Sequence, residues 1–128
     1  MILDKQEAYL TTAGSEDLGG TASGVSDYRD LGAKGALDGH RKTYLNIRGK
    51  SAHTGGTSPT ITIVLTSGAD GSTFGQTDAT LATTITLAAT TNIKIPLPEG
   101  MQRYSRIEWT VAGSPTGGGL FNAFLSNS

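Results

Sequence analysis

Two runs of strict alternation within the segment Asn92–Gly113 (NIKIPLPEGMQRYSRIEWTVAG) constrain this chain more than any other feature of it. Ile93, Ile95 and Leu97 alternate with Asn92, Lys94 and Pro96, and Ile107, Trp109 and Val111 alternate with Arg106, Glu108 and Thr110. In extended backbone a period of two puts every apolar side chain on one face, so each run reads as a half-buried strand, with Trp109 in the core phase. Between them Pro98-Glu99-Gly100 joins a fixed φ to a residue free to take positive φ, which predicts a turn and a hairpin-like unit. The prolines on either side of Leu97 end the first strand there or place it at a sheet edge.

The same period recurs elsewhere. In Tyr44–Gly49 it puts Leu45 and Ile47 inside and Tyr44, Asn46 and Arg48 outside, and in Thr60–Thr66 it puts Ile61, Ile63 and Leu65 inside. Leu81, Thr83, Ile85 and Leu87 hold one phase across Ala79–Leu87, and Leu120–Leu125 supplies a last strand after the bend allowed by Gly117-Gly118-Gly119. Val25–Leu31 carries few apolar residues, so it is expected at an edge or tied down by a partner. Residues 1–10 read as an extended arm or a short edge strand, residues 11–24 as a flexible loop, and 32–42 and 50–59 as further loops. With 18 Gly, 19 Thr and a charged fraction of 16 %, the composition favours strands and turns over helices. Roughly seven or eight strands of ordinary length in one domain spanning residues 1–128 predict an all-β, two-sheet β-sandwich, for which a jelly roll is one specific topology.

Charge limits the partners. The formal net charge is -1, which gives the molecule no long-range pull toward nucleic acid or an anionic membrane. Residues 1–40 hold seven acids against three bases, and residues 41–108 hold seven bases against four acids. Either folding mixes these charges over a solvated surface, or complementary contact arises between copies or with an acidic partner surface. There is no cysteine, hence no disulfide framework or thiol chemistry. Asp4, Lys5 and Glu7 follow Met1-Ile2-Leu3 too closely for a signal-peptide apolar core, and no run is long enough to span a bilayer as a helix, which predicts a protein made in the cytoplasm with no membrane partner.

Residue types that carry chemistry are sparse. His40 and His53 lie in glycine-rich segments without the companions of a zinc site and are expected to be solvated loop residues. Asp70-Gly71-Ser72 and Asp78 lack the alternating oxygen ligands of a calcium loop, so a turn is expected. Gly32, Gly35 and Gly39 lack the Lys-Ser/Thr pair of a phosphate loop. Glu99 and Glu108 are a conceivable glycosidase pair, but a strand Glu108 is expected to pair with Arg106 or a cross-strand cation. No enzyme activity, metal or cofactor is predicted.

One resemblance covers both ends of the chain. Pro96-Leu97-Pro98, Gly100, Arg103-Tyr104, Arg106-Ile107 and Trp109 resemble the C-terminal signature of the capsid cement, or decoration, proteins of tailed bacteriophages, including the type of a Bordetella short-tailed phage. Met1-Ile2-Leu3-Asp4-Lys5-Gln6 is similar to the opening of those proteins. The resemblance implies a jelly roll and a structural virion protein. It further implies a symmetric homo-oligomer, dimer or trimer, on the outside of an icosahedral head, bridging subunits of the major capsid protein. Met1, Ile2, Leu3, Asp4, Lys5, Arg103, Tyr104 and Arg106 become the candidate capsid or oligomer interface, with residues 1–10 either a docking arm or an edge strand of their own sandwich. The other classes to weigh are a carbohydrate-binding jelly-roll module, which needs an exposed platform from Tyr9, Tyr28, Tyr44 or Tyr104, and a small β-sandwich hydrolase.

Overall fold

The computed structural model describes residues 8–11, 14, 15, 17–31, 43–83, 92–98 and 100–126. Among them there are strands and no helix: β1 (Ala8–Tyr9), β2 (Leu18–Gly19), β3 (Gly24–Val25), β4 (Arg29–Asp30), β5 (Tyr44–Ser51), β6 (Thr60–Gly68), β7 (Gln76–Thr83), β8 (Asn92–Pro96), β9 (Tyr104–Ala112) and β10 (Leu120–Ser126). They form two sheets in which every pairing is antiparallel. The first runs β8-β5-β10, with β1 and β2 both along the free side of β10; the second runs β7-β6-β9, with β3 and β4 both along the free side of β9.

The alternation that predicts the strands also builds the core. Leu45, Ile47, Phe121, Ala123 and Leu125 from the first sheet meet Ile61, Ile63, Leu65, Ile107 and Trp109 from the second in one apolar cluster, as expected of a two-sheet β-sandwich. Each such aliphatic or aromatic side chain contributes about 1.5–3 kcal/mol by leaving water, which is what holds the sheets face to face. Register fixes the centre: Ile63 sits between Trp109 on β9 and Leu81 on β7, so a charge at Ile63 would be buried from both sides.

The edge strands β1 to β4 are only two residues long, and side chains fasten them. Tyr9 and Leu18 are fully buried in the core, and the Tyr9 hydroxyl hydrogen-bonds Ser105 Oγ of the opposite sheet at 2.8 Å. Between β3 and β4, Ser26 continues the ladder: its N–H donates to the Ile107 carbonyl at 2.8 Å and its Oγ accepts from the Ile107 N–H at 2.9 Å. The edge expected over Val25–Leu31 therefore exists, but it is interrupted.

Four expectations are corrected. The strands of Asn92–Gly113 do not form a hairpin: β8 pairs with β5, whereas β9 pairs with β3, β4 and β6. The Leu97 N–H donates to the Thr43 carbonyl, prolonging the β5–β8 pairing; Gly100 then turns at φ 85° and Met101 inserts into the core at 1 % exposure, so the link crosses from one sheet to the other. Asn46, read as outward and exposed, is buried, with its Nδ2 donating to Ser126 Oγ at 2.6 Å. Within the stretch read as a loop, β2 pairs with β10 and Leu18 reaches the core. Tyr9, offered as a surface aromatic, is buried, and that burial pushes its hydroxyl pKa up to about 12.

Candidate functional site

On β9 the inward phase of Ser105, Ile107 and Trp109 obliges Tyr104, Arg106 and Glu108 to face out. Opposite Tyr104 in the register stands Asp30 of β4, whose inward neighbour Arg29 stands opposite Ser105, so Tyr28 and Asp30 share the outer face with Tyr104. The loop 69–75 completes the group. Asp70 Oδ1 accepts from the Ser72 N–H at 2.9 Å, Ser72 Oγ at 3.0 Å and the Thr73 N–H at 2.8 Å, and these bonds, that from the Ser72 backbone first, hold its carboxyl below the usual range. The turn expected at Asp70-Gly71-Ser72 is thus formed. Gly71 lies so near Tyr28 that a Cβ there would come within 3.1 Å of the ring, which lets the loop deliver Phe74 to the patch.

The result is an aromatic cluster flanked by cations. Tyr28 meets Tyr104 edge-on, with centroids 5.3 Å apart and planes at 87°, and lies 6.3 Å from Phe74. The Arg106 guanidinium sits 4.3 Å over the Phe74 ring and that of Arg103 5.0 Å over Tyr104. Arg103 also holds Asp30 bidentately, at 2.8 and 2.9 Å. Arg106 Nε lies 3.4 Å from Glu108 Oε2, which also accepts from Thr66 Oγ1 at 2.7 Å, so the expected Arg106–Glu108 pair is present. Tyr28 and Val25 are each 46 % exposed, the large hydrophobic residues left most open to solvent among those described.

This composition suits a contact surface. Tyr and Arg concentrate binding energy at protein interfaces because they bring large area with few rotatable bonds, and here the Arg forks are already held on rings and carboxylates. The perpendicular Tyr28 and Tyr104 give no single flat platform on which a sugar ring could stack. Behind the same loop lies an open cleft of about 350 Å³ whose lining includes Ser67, Gln76 and Gln102. These side chains are held in place by hydrogen bonds: Gln76 Nε2 donates to Asp78 Oδ1 at 2.7 Å and to the Gly100 carbonyl at 3.0 Å, and Ser67 Oγ accepts from the Gln102 N–H at 3.1 Å.

Of the interface residues expected from sequence, Arg103, Tyr104 and Arg106 come together, while Met1, Ile2, Leu3, Asp4 and Lys5 lie outside the described residues. So do His40, Glu99 and the glycines 32, 35 and 39. Sequence reasoning missed Tyr28, Phe74 and Asp30 as members of the patch. The short edge strand of weak apolar content was a usable signal for Tyr28; nothing in the sequence brings Phe74 to β9. His53 is also corrected: it is half-buried, with a ring nitrogen 2.8 Å from the Gly20 carbonyl, and so is not a freely solvated loop residue. Among the described residues no three His, Cys, Asp or Glu side chains are grouped to hold a metal ion.

Sandwich and patch together define an all-β protein whose organised outer feature is an exposed aromatic and arginine surface. By sequence, the chain belongs to the Bbp16 family, matched over residues 13–125. That span takes in both sheets from β2 to the end of the β10 core and leaves out the arm with the second half of the resemblance described above. The family name points to a Bordetella phage protein, in keeping with a phage origin for this chain. No curated protein matches the chain.

Proposed function

We propose that this chain is a structural virion protein, a capsid cement protein that binds the outside of an icosahedral phage head and stabilises it by bridging subunits of the major capsid protein. The observation that carries the reading is the patch of Tyr28, Phe74, Tyr104, Arg103 and Arg106 on the outer face of the second sheet of a Bbp16-family chain. Its aromatic middle supplies area to bury and its arginine rim supplies directed hydrogen bonds, the pairing found where interfaces hold most strongly. The arm Met1–Lys5 is the second contact, with Ile2 and Leu3 as anchors and Asp4 and Lys5 setting register at the rim.

Connectivity supports the jelly-roll reading. The segment holding β1 and β2 and the segment holding β3 and β4 act as one interrupted edge strand each, which leaves eight strand positions in two sheets of four. Among the described strands, only β6 to β7 is a hairpin within a sheet; β5 to β6, β7 to β8, β8 to β9 and β9 to β10 all pass between sheets. First and last strand positions are neighbours, as when a long hairpin is wrapped around a barrel.

The mechanism is linkage. A ligand that binds the assembled shell and not free subunits stabilises the shell by mass action, and a symmetric oligomer engaging several subunits converts modest contacts into avidity. Heads lacking the protein should disrupt at lower temperature and regain their stability when the purified protein is added in excess. Heads whose disruption temperature is the same with and without bound protein would count against the function.

A further inference from the structure

We infer that the β5–β8 side of the outer face of the first sheet, where Arg48 and Lys94 stand exposed, is a second docking surface, and that it fits a carboxylate-bearing surface of a folded protein partner; this deepens the shell-binding reading and rests on it. Outward on β5 and β8 stand Tyr44, Arg48, Asn92 and Lys94, whereas Asn46 of β5 and Phe124 and Ser126 of β10 are buried, so the open part of the face is its β5–β8 side. Arg48 opposes Asn92 and Lys94 opposes Asn46, so the two cations are diagonal neighbours across the β5–β8 pair. Both are exposed.

Each of these cations lies on a ring and not against an acid. Lys94 Nζ is 5.9 Å from the Tyr44 centroid and the Arg48 guanidinium 5.3 Å from that of Phe124, which is buried to 2 % exposure. Asp17 reaches this face, but Lys50 takes one of its oxygens at 2.7 Å and Asn122 the other at 3.1 Å. Among the described residues no carboxylate lies within ion-pair distance of Arg48 or Lys94. On the second sheet, by contrast, Arg103 and Arg106 each have a carboxylate partner in the same chain. Of the described bases within residues 41–108, Lys50, Arg103 and Arg106 therefore have a carboxylate partner and Arg48 and Lys94 do not.

Two like charges on one open face repel, and carboxylates placed against them relieve that repulsion while making charge-assisted bonds. The rings already hold both side chains, so less freedom is lost on binding. A polyanion is the poorer fit: two cations meet two phosphates at most, and the chain as a whole is weakly negative. Carboxylates at fixed positions on a folded protein match one fixed cation spacing and no long-range field.

The test is equilibrium binding of the full chain to purified heads lacking it, between about 50 and 300 mM salt. Wild type is compared with Arg48→Gln/Lys94→Gln and with the charge-keeping Arg48→Lys/Lys94→Arg, all three checked for an unchanged melting temperature. If the double glutamine variant loses its transition, Lys94→Gln alone is read in its place. The glutamine variant should bind about tenfold more weakly at low salt and lose much of its salt dependence, with the charge-keeping variant near wild type. Wild-type binding with an unchanged glutamine variant would overturn this inference and leave the shell-binding reading standing. Failure of wild type to bind heads would remove both. Binding of wild type to a DNA duplex at the same salt, lost in the glutamine variant, would assign the face to nucleic acid and overturn the protein partner.

Discussion

Replacing Trp109 with Ala tests the packing of the sandwich core. The indole is 8 % exposed, meets Phe121 of the opposite sheet edge-on at 5.9 Å, and donates from Nε1 to the Ala22 carbonyl at 3.1 Å. Truncation returns about 150 Å² of buried apolar area, or roughly 4 kcal/mol at about 25 cal/mol per Å². Loss of the Nε1 bond adds about 1 kcal/mol. Gly24 packs directly on the ring, where a Cβ would come within 2.9 Å, so the thin β3 edge can settle inward and recover part of the loss. The expected destabilisation is about 4 kcal/mol, within the usual range for a buried Trp→Ala change. Trp109→Phe keeps most of the ring and loses the bond to Ala22, and should cost about 1–2 kcal/mol. Trp109 is the sole tryptophan, so urea unfolding is best followed by far-ultraviolet circular dichroism. An alanine variant within about 1 kcal/mol of wild type at unchanged denaturant slope would refute the placement of Trp109 in the core.

Tyr28→Ser combined with Tyr104→Ala should shift the melting temperature by only a few degrees while reducing binding to heads at least tenfold; a patch without an interface role would leave binding intact. Tyr9 has its pKa raised from 10.0 to about 12 in the folded chain, so its stabilising contribution is complete below pH 10 and is lost as pH rises through 12. Unfolding measured at the two ends of that window should show wild type losing roughly 2–3 kcal/mol more than Tyr9→Phe; parallel curves would contradict the burial of the hydroxyl. Substituting both His40 and His53 with Ala should lower the melting temperature by a few degrees through loss of the His53 contact with the Gly20 carbonyl and leave head binding close to wild type, whereas a chelator should change neither; a large chelator-induced drop would expose a structural metal. Deleting Met1–Leu3 ahead of a new initiating Met should preserve the melting temperature of the isolated chain and weaken decoration; a variant that melts far lower yet decorates normally would make the arm a core strand.

Strand positions were legible wherever a run was long and buried on one face. Leu45 and Ile47, Ile61 to Leu65, and Ile107 to Val111 fall in β5, β6 and β9 in the phase that their alternation requires. Partner choice was not legible, because period two records which face a side chain takes and not which neighbour the backbone meets; hence β8 and β9 read as a hairpin although they lie in different sheets. Asn46 was hidden for the same reason. Its phase is outward, and only the fold brings Ser126 alongside to bury and bond it. Two-residue strands carry no period at all, so the roles of Tyr9, Leu18 and Ser26 depend on partners about eighty to one hundred residues away in sequence, which no local rule reaches. At the patch, Arg103, Tyr104 and Arg106 were legible through their motif, whereas Tyr28 and Phe74 join them through a loop geometry set by Asp70 and Gly71.

Shell binding by this chain is tested most directly by an image reconstruction of purified heads that lack the protein, made before and after the full chain is added. Added density should appear at symmetry-related positions on the outer surface only, each unit lodged at a boundary between major capsid protein subunits with the Tyr28–Tyr104 patch against one of them. Heads that look the same in both reconstructions, or density confined to the tail or the interior, would contradict the account.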